Sequence, residues 1–170
     1  MRRLMVLRHA KTERAEPGER DRDRKLMKRG RADAPIVGAY LAHHGLAPDL
    51  ALLSPAERAQ ETWRLVAAVL DKRPRAEIDE RLYNASPQKL LEIIAEPRKA
   101  RSLLIVGHNP SLQRVAATLS DSADACHAEV ADDFPTAAAV LIELPAVQWR
   151  DVKPGTGRII WFLKPKELDR

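Results

Sequence analysis

Three short stretches of the chain carry side chains able to handle an anion: Arg8-His9, Ser54 to Arg58, and Gly107-His108-Asn109. Histidine can act as base or nucleophile near neutral pH, because its ordinary pKa lies there. Arginine presents a planar fork that grips two phosphoryl oxygens at once. Each stretch follows a short apolar run: Leu4 to Leu7, Leu50 to Leu53, and Leu103 to Val106. Such runs read as strands buried on both faces. In a mostly parallel sheet the carboxyl ends of the strands share one edge, and ligands collect there. Two of the turns also open helices, whose free N–H groups and partial positive charge suit a phosphate. Taken singly, each stretch could be an ordinary surface feature. Their meeting is conditional on the sheet.

The elements that must position them follow in order. Glu13 to Lys25 is dense in charge, broken by Pro17-Gly18, and reads as a loop held near the end of the first strand. A helix is expected over Lys28 to His44, with Pro35 inside it and Gly45 as its stop. Ser54-Pro55-Ala56-Glu57 predicts a helix start with Ser54 as cap and Glu57 completing a capping box. That helix runs to about Leu70 with Arg58 in its first turn. A short strand at Ala76 to Asp79 leads to a Ser86-capped helix. After the strand Ser102 to Val106, Asn109 is expected to cap a helix that begins at Pro110. Ser120 to Pro135 reads as an irregular acidic connection. Two late strands, Thr136–Leu144 and Arg158–Leu163, could pair antiparallel, and Lys164–Arg170 is expected to fray. The alternation predicts one domain over 1–170: a three-layer α/β/α sandwich with a mostly parallel central sheet and an antiparallel late strand.

Composition narrows the function. The net charge of +5 is uneven: residues 1–31 hold twelve Lys/Arg against five Asp/Glu, so the rest is slightly acidic. Aromatic residues are only 4% of the chain and no groove-reading motif is present, so the basic segment suits a phosphorylated substrate better than nucleic acid. No apolar run approaches the ~20 residues that cross a bilayer, and Met1-Arg2-Arg3 with four apolar residues is too short for a signal peptide. One cysteine, Cys126, excludes an internal disulfide and a thiolate metal cluster. No membrane partner, metal or cofactor is expected, and the cytoplasm is the expected compartment.

The ordered set of motifs resembles the histidine phosphatase superfamily, which includes the cofactor-dependent phosphoglycerate mutases, and within it the SixA-type phosphohistidine phosphatases. Leu7-Arg8-His9-Ala10-Lys11-Thr12 matches the Arg-His-Gly signature, with Ala10 in place of the glycine. Asp21-x-x-Arg24-x-Leu26 with Gly30 is similar to the SixA-type segment, although Lys25 and Met27 stand where that branch often has Pro and Thr. Ser54-Pro55-Ala56-Glu57-Arg58-Ala59-Gln60-Glu61-Thr62 matches the Ser-Pro-x-x-Arg-Ala-x-x-Thr motif. Glu80-x-Leu82-Tyr83 and Val106-Gly107-His108-Asn109-Pro110 match the later motifs.

The resemblance implies a phosphoglycerate mutase-like fold and a phosphatase with His9 as nucleophile, passing through a phosphohistidine intermediate without a metal. Arg8, Arg58 and His108 would hold the phosphoryl oxygens. Thr12 would add a hydroxyl, Arg24 a further cation, and Asn109 a substrate contact. Glu80, with Asp79 behind it, is the candidate proton donor. The expected substrate is phosphohistidine on a protein, because imidazole can leave without acid help. A small phosphate monoester on the same site is one alternative. A non-catalytic module binding anions or nucleic acid is another. Oligomeric state is not legible.

Overall fold

The computed structural model describes residues 1–168. Six strands form one sheet: β1 (Arg2–Arg8), β2 (Leu50–Leu53), β3 (Arg75–Ile78), β4 (Ser102–Gly107), β5 (Ala139–Leu144) and β6 (Arg158–Leu163). Their order is β3-β2-β4-β1-β5-β6. β3, β2, β4 and β1 run parallel, and β5 is antiparallel to both its neighbours, as the late pairing predicts. Every residue of β2 is buried, and so are Leu4 to Leu7 of β1. That explains their unbroken apolar runs: both faces of the sheet are covered.

Side chains alternate between two cores. Leu4, Val6, Leu103, Ile105, Val140 and Ile142 face α3 (Pro87–Ile94), α4 (Ser111–Leu119) and α5 (His127–Asp132). Met5, Leu7, Leu104, Val106, Ala139 and Leu141 face α1 (Lys28–His43) and α2 (Glu57–Ala67). This is the expected three-layer α/β/α sandwich. α1 continues through Pro35 as one helix.

Local readings are corrected in four places. Ser54 caps nothing in a capping box, because its hydroxyl is drawn to His108 (below), and α2 starts at Glu57 without a side-chain cap. α4 begins at Ser111, one residue late, after a cis Asn109-Pro110 bond. The acidic connection contains α5, a six-residue helix anchored by the fully buried Val130. One apolar anchor leaves no periodicity to read. The expected fraying tail instead forms α6 (Pro165–Leu168), with Lys164 buried and paired to Glu129 at 2.8 Å and Glu167 at 3.1 Å. Asp169 and Arg170, the rest of that expectation, lie outside the described residues.

α1 approaches the turn after β1 closely enough to require a glycine. A Cβ on Gly30 would stand 2.2 Å from the Lys11 carbonyl oxygen. Gly30→Ala is therefore expected to lower stability by about 1–3 kcal/mol, the usual cost of overpacking, measured as a fall in the urea midpoint.

Candidate active site

Strands β2, β4 and β1 lie side by side, and their register aligns Leu53 with Val106 and Gly107 with Arg8. The residues just beyond these ends are Ser54, His108 and His9. Their backbones continue the ladder: His9 N–H donates to Gly107 O at 3.1 Å and Ser54 N–H to Val106 O at 3.0 Å. The His9 and His108 rings consequently lie 5.4 Å apart. Arg58, from the first turn of α2, is 7% exposed, and its charge reaches both rings, as does that of Arg8. The four residues expected to meet do meet.

Each is held by a named contact. His9 Nδ1 lies 2.8 Å from Ala10 O, so the ring donates there and leaves Nε2 with its lone pair. Ala10 has no positive φ, and its N–H donates to Thr62 Oγ1 at 2.9 Å, while Thr62 donates to Arg58 O at 2.6 Å. Alanine thus suffices where the signature has glycine. Thr62 ties the turn bearing the nucleophile candidate to the helix bearing the arginine. Ala137, at φ 62°, gives its N–H to both Arg8 O and His9 O, at a backbone cost of ~1–2 kcal/mol. Phe134 O accepts from Arg8 Nη1 and from Asn109 Nδ2, each at 3.0 Å. Asn109 therefore shares the Phe134 carbonyl with Arg8 and caps Gln113 N–H. Ser54 Oγ lies 2.7 Å from His108 Nε2 and accepts from Ala56 N–H at 3.2 Å.

Two nitrogens stand out. Among the described residues four buried side-chain nitrogens have no hydrogen-bond partner, Arg2 Nε and Trp161 Nε1 away from the site and Arg8 Nε and His108 Nδ1 within it. Buried polar groups are rarely left so. The latter two lie in one corner with two cationic side chains, the setting of an oxyanion site. Burial, then the neighbouring His108, Arg58 and Arg8, pushes the His9 pKa down to about 3, against the Ala10 carbonyl that favours its N–H. Burial and then Arg58 lower that of His108 to about 4. Both imidazoles are neutral at pH 7.

The charged loop is better ordered than its composition suggests. Thr12 bridges to Leu26, and Arg24 donates to Thr12 Oγ1 at 2.7 Å, Glu13 O at 3.0 Å and Asp21 Oδ1 at 3.2 Å. Thr12 and Arg24 thus brace the loop against the strand end. Asp21, absent from the expected site, accepts from Arg58 Nη2 at 3.1 Å and Tyr83 OH at 2.5 Å. Tyr83 packs edge-on to His108, with ring centroids 5.8 Å apart. The signal for Asp21 was its place in the Asp-x-x-Arg segment; for Ser54 it was masked by its fitness as a cap. The two proton-donor candidates each pair with an arginine. Glu80 is exposed and paired with Arg22 at 2.9 Å, while Asp79 accepts from Arg81 Nη2 at 2.7 Å. Among the described residues no group of three or more His, Cys, Asp or Glu is placed to share a metal ion, and no helix is long and apolar enough to cross a membrane.

Fold and site together define a class: an α/β protein with two histidines and two arginines gathered at the carboxyl edge of parallel strands. A family profile for the histidine phosphatase superfamily (branch 1) matches residues 4–89. The chain is 35% identical over 165 residues to an uncharacterized protein of Mycobacterium tuberculosis, with 94% of this chain and 100% of that relative covered. It is similar to the Agrobacterium tumefaciens structure assigned as the phosphohistidine phosphatase SixA, with 32% identity, a TM-score of 0.82, and 96% and 98% of the two chains covered. A structure of the protein histidine phosphatase SixA complexed with tungstate shares the fold at a TM-score of 0.75 and 21% identity, covering 98% of this chain and 99% of that one. The chain belongs to the histidine phosphatase superfamily and is of the SixA type, which places it among phosphatases.

Lowered histidine pKa values have a stability consequence. The unfolded chain binds protons on these rings near pH 6.5, and the folded one only near 3 and 4. Stability therefore rises with pH across that window and is lost as pH falls through it. The urea midpoint is expected to drop between about pH 7 and about pH 5, and a His9→Asn/His108→Asn double variant to flatten that slope. An unchanged slope would count against neutral, buried imidazoles.

Proposed function

We propose that the protein is a phosphohistidine phosphatase that takes the phosphoryl group onto His9 Nε2. The observation that carries this reading is the His9 Nδ1 bond to the Ala10 carbonyl, beside the unpartnered nitrogens of Arg8 and His108. Neutral His9 attacks phosphorus, and the Nδ1–H that stays on Ala10 O stabilises the charge its ring acquires. Arg8, Arg58 and His108 hold the three equatorial oxygens, over which transition-state charge spreads. With Ser54 donating its hydroxyl proton to His108 Nε2, the remaining proton sits on Nδ1 as a donor to the phosphoryl group. Water then attacks the phosphoenzyme: imidazole leaves His9 neutral, and both water protons depart on orthophosphate. The cations come from arginine, so none of these steps calls for a metal.

Substrate class follows from the proton donor. An alkoxide leaving group needs an acid, whereas a phosphoimidazole protonated on its other nitrogen leaves as neutral imidazole. Glu80 and Asp79 are both engaged by arginines, and Asp21 is held ionised, at a pKa of about 2, first by the Tyr83 hydroxyl and then by Arg24 and Arg58. The site therefore favours P–N over P–O cleavage in an alkyl ester. The partner would be a protein carrying phosphohistidine.

His9→Ala is expected to reduce hydrolysis of a phosphohistidine peptide by at least about 1,000-fold, with chelator leaving the wild type unaffected. Acid quench of the wild type should trap an acid-labile phosphoryl group on His9. An alkyl phosphate turned over faster than the peptide would favour the small-ester alternative, and steeply salt-dependent nucleic-acid binding without hydrolysis would favour the non-catalytic one. Thr62→Val should lower stability by about 1–3 kcal/mol through the orphaned Ala10 N–H, and should lower kcat more than it raises KM.

A further inference from the structure

The mechanism leaves one group without a counterpart. When the enzyme's own histidine carries phosphate, its distal N–H rests on the Ala10 carbonyl, 2.8 Å away. The substrate's histidine passes through the same charged state, and its distal N–H needs an acceptor on the opposite, outer side of the phosphoryl group.

Asp21 is placed to be that acceptor. Among the described residues it is the carboxylate hydrogen-bonded to Arg58, and no carboxylate is hydrogen-bonded to Arg8. It stands at the rim, its side chain 53% exposed, on the loop that borders the end of β1. A carboxylate has about four lone-pair positions. Three donors occupy this one: Arg24 at Oδ1, and Arg58 and Tyr83 at Oδ2. One position on Oδ1 stays open. The three donors restrain the carboxylate, and its charge reaches the His108 ring. Tyr83, whose hydroxyl holds Asp21, lies edge-on to His108, with Arg22 over its ring at 5.1 Å. An imidazole entering beside His108 would meet an aromatic wall and the carboxylate that its hydroxyl holds.

We propose that Asp21 accepts a hydrogen bond from the distal N–H of the substrate's phosphoimidazole and so selects phosphohistidine over phosphate esters. This rests on the phosphohistidine reading above. In the transfer, the bond from phosphorus to the substrate nitrogen breaks with its electron pair going to that nitrogen, while the His9 Nε2 lone pair forms the new bond. The substrate ring gives up its positive charge as it leaves and keeps its distal proton. His9 takes on that charge. Asp21 remains a carboxylate throughout. A phosphate ester presents no N–H there, and its leaving oxygen faces the negative carboxylate instead.

The test compares two substrates on Asp21→Asn: a phosphohistidine peptide, and p-nitrophenyl phosphate, whose leaving group needs no proton. The ratio of their kcat/KM values is expected to fall about 10- to 100-fold in the variant, the loss of one charged hydrogen bond. Equal losses on both would mean that Asp21 acts only by orienting Arg58, and would overturn the proposal, as would an unchanged ratio. A second measurement needs no variant. A phosphoimidazole methylated on its distal nitrogen keeps the charge and lacks the N–H. Corrected for its uncatalysed rate, it should be turned over about 10-fold or more slowly by the wild type than the N–H form. Equal turnover would refute the role of Asp21. A wild-type enzyme that hydrolyses p-nitrophenyl phosphate and no phosphohistidine at all would instead sink the function on which the proposal rests.

Discussion

Two guanidinium groups and two neutral imidazoles share one largely buried corner, with Arg58 and His9 buried and Arg8 and His108 partly so, and the rest of the structure serves that constraint. Like charges packed together inside a protein are costly unless something compensates them. Here the cost is reduced by keeping His9 and His108 unprotonated, which burial enforces, and by one carboxylate at the rim. What remains is a surplus of positive charge beside buried nitrogens without partners. A tetrahedral dianion satisfies both demands at once.

The supporting contacts are mostly backbone carbonyls and small hydroxyls. Ala10 O orients one imidazole, Ser54 Oγ meets the other, and Phe134 O anchors Arg8. Thr62 joins the β1 turn to α2, so the nucleophile candidate and Arg58 are set by one side chain. Neutral acceptors hold the cations in place without cancelling their charge, whereas carboxylates in those positions would compete with phosphate. Asp21 is the exception, and it sits outside, where it touches Arg58 without closing the corner. Ala137 shows the same priority in the backbone: a strained φ is accepted because its N–H secures two successive carbonyls of the reactive strand end.

Much of this was legible in the chain. Leu4 to Leu7, Leu50 to Leu53 and Leu103 to Val106 announce buried parallel strands, because a strand covered on both faces has no polar positions to interrupt it. His9, Arg58 and His108 follow from those strand ends, and the ordered motifs name their family. α5 escaped because a six-residue helix with one buried valine has no period. Ser54 was misread because a helix cap and a histidine partner require the same hydroxyl, and only spatial neighbours decide between them. Asn109 likewise donates to Phe134 O, a contact 25 residues away that local pattern does not announce.

By itself, then, the sequence determined the sheet, the layers and the residue types that stand at the strand ends, since those depend on local pattern and on residue chemistry. Tertiary structure alone decided which nitrogen of His9 is left open, that Glu80 and Asp79 are engaged by arginines, and that Asp21 reaches Arg58 across 37 residues. Hydrogen-bond direction and charge pairing are settled by distances of a few ångströms between segments remote in the chain, and those distances exist only once the sheet has closed its edge.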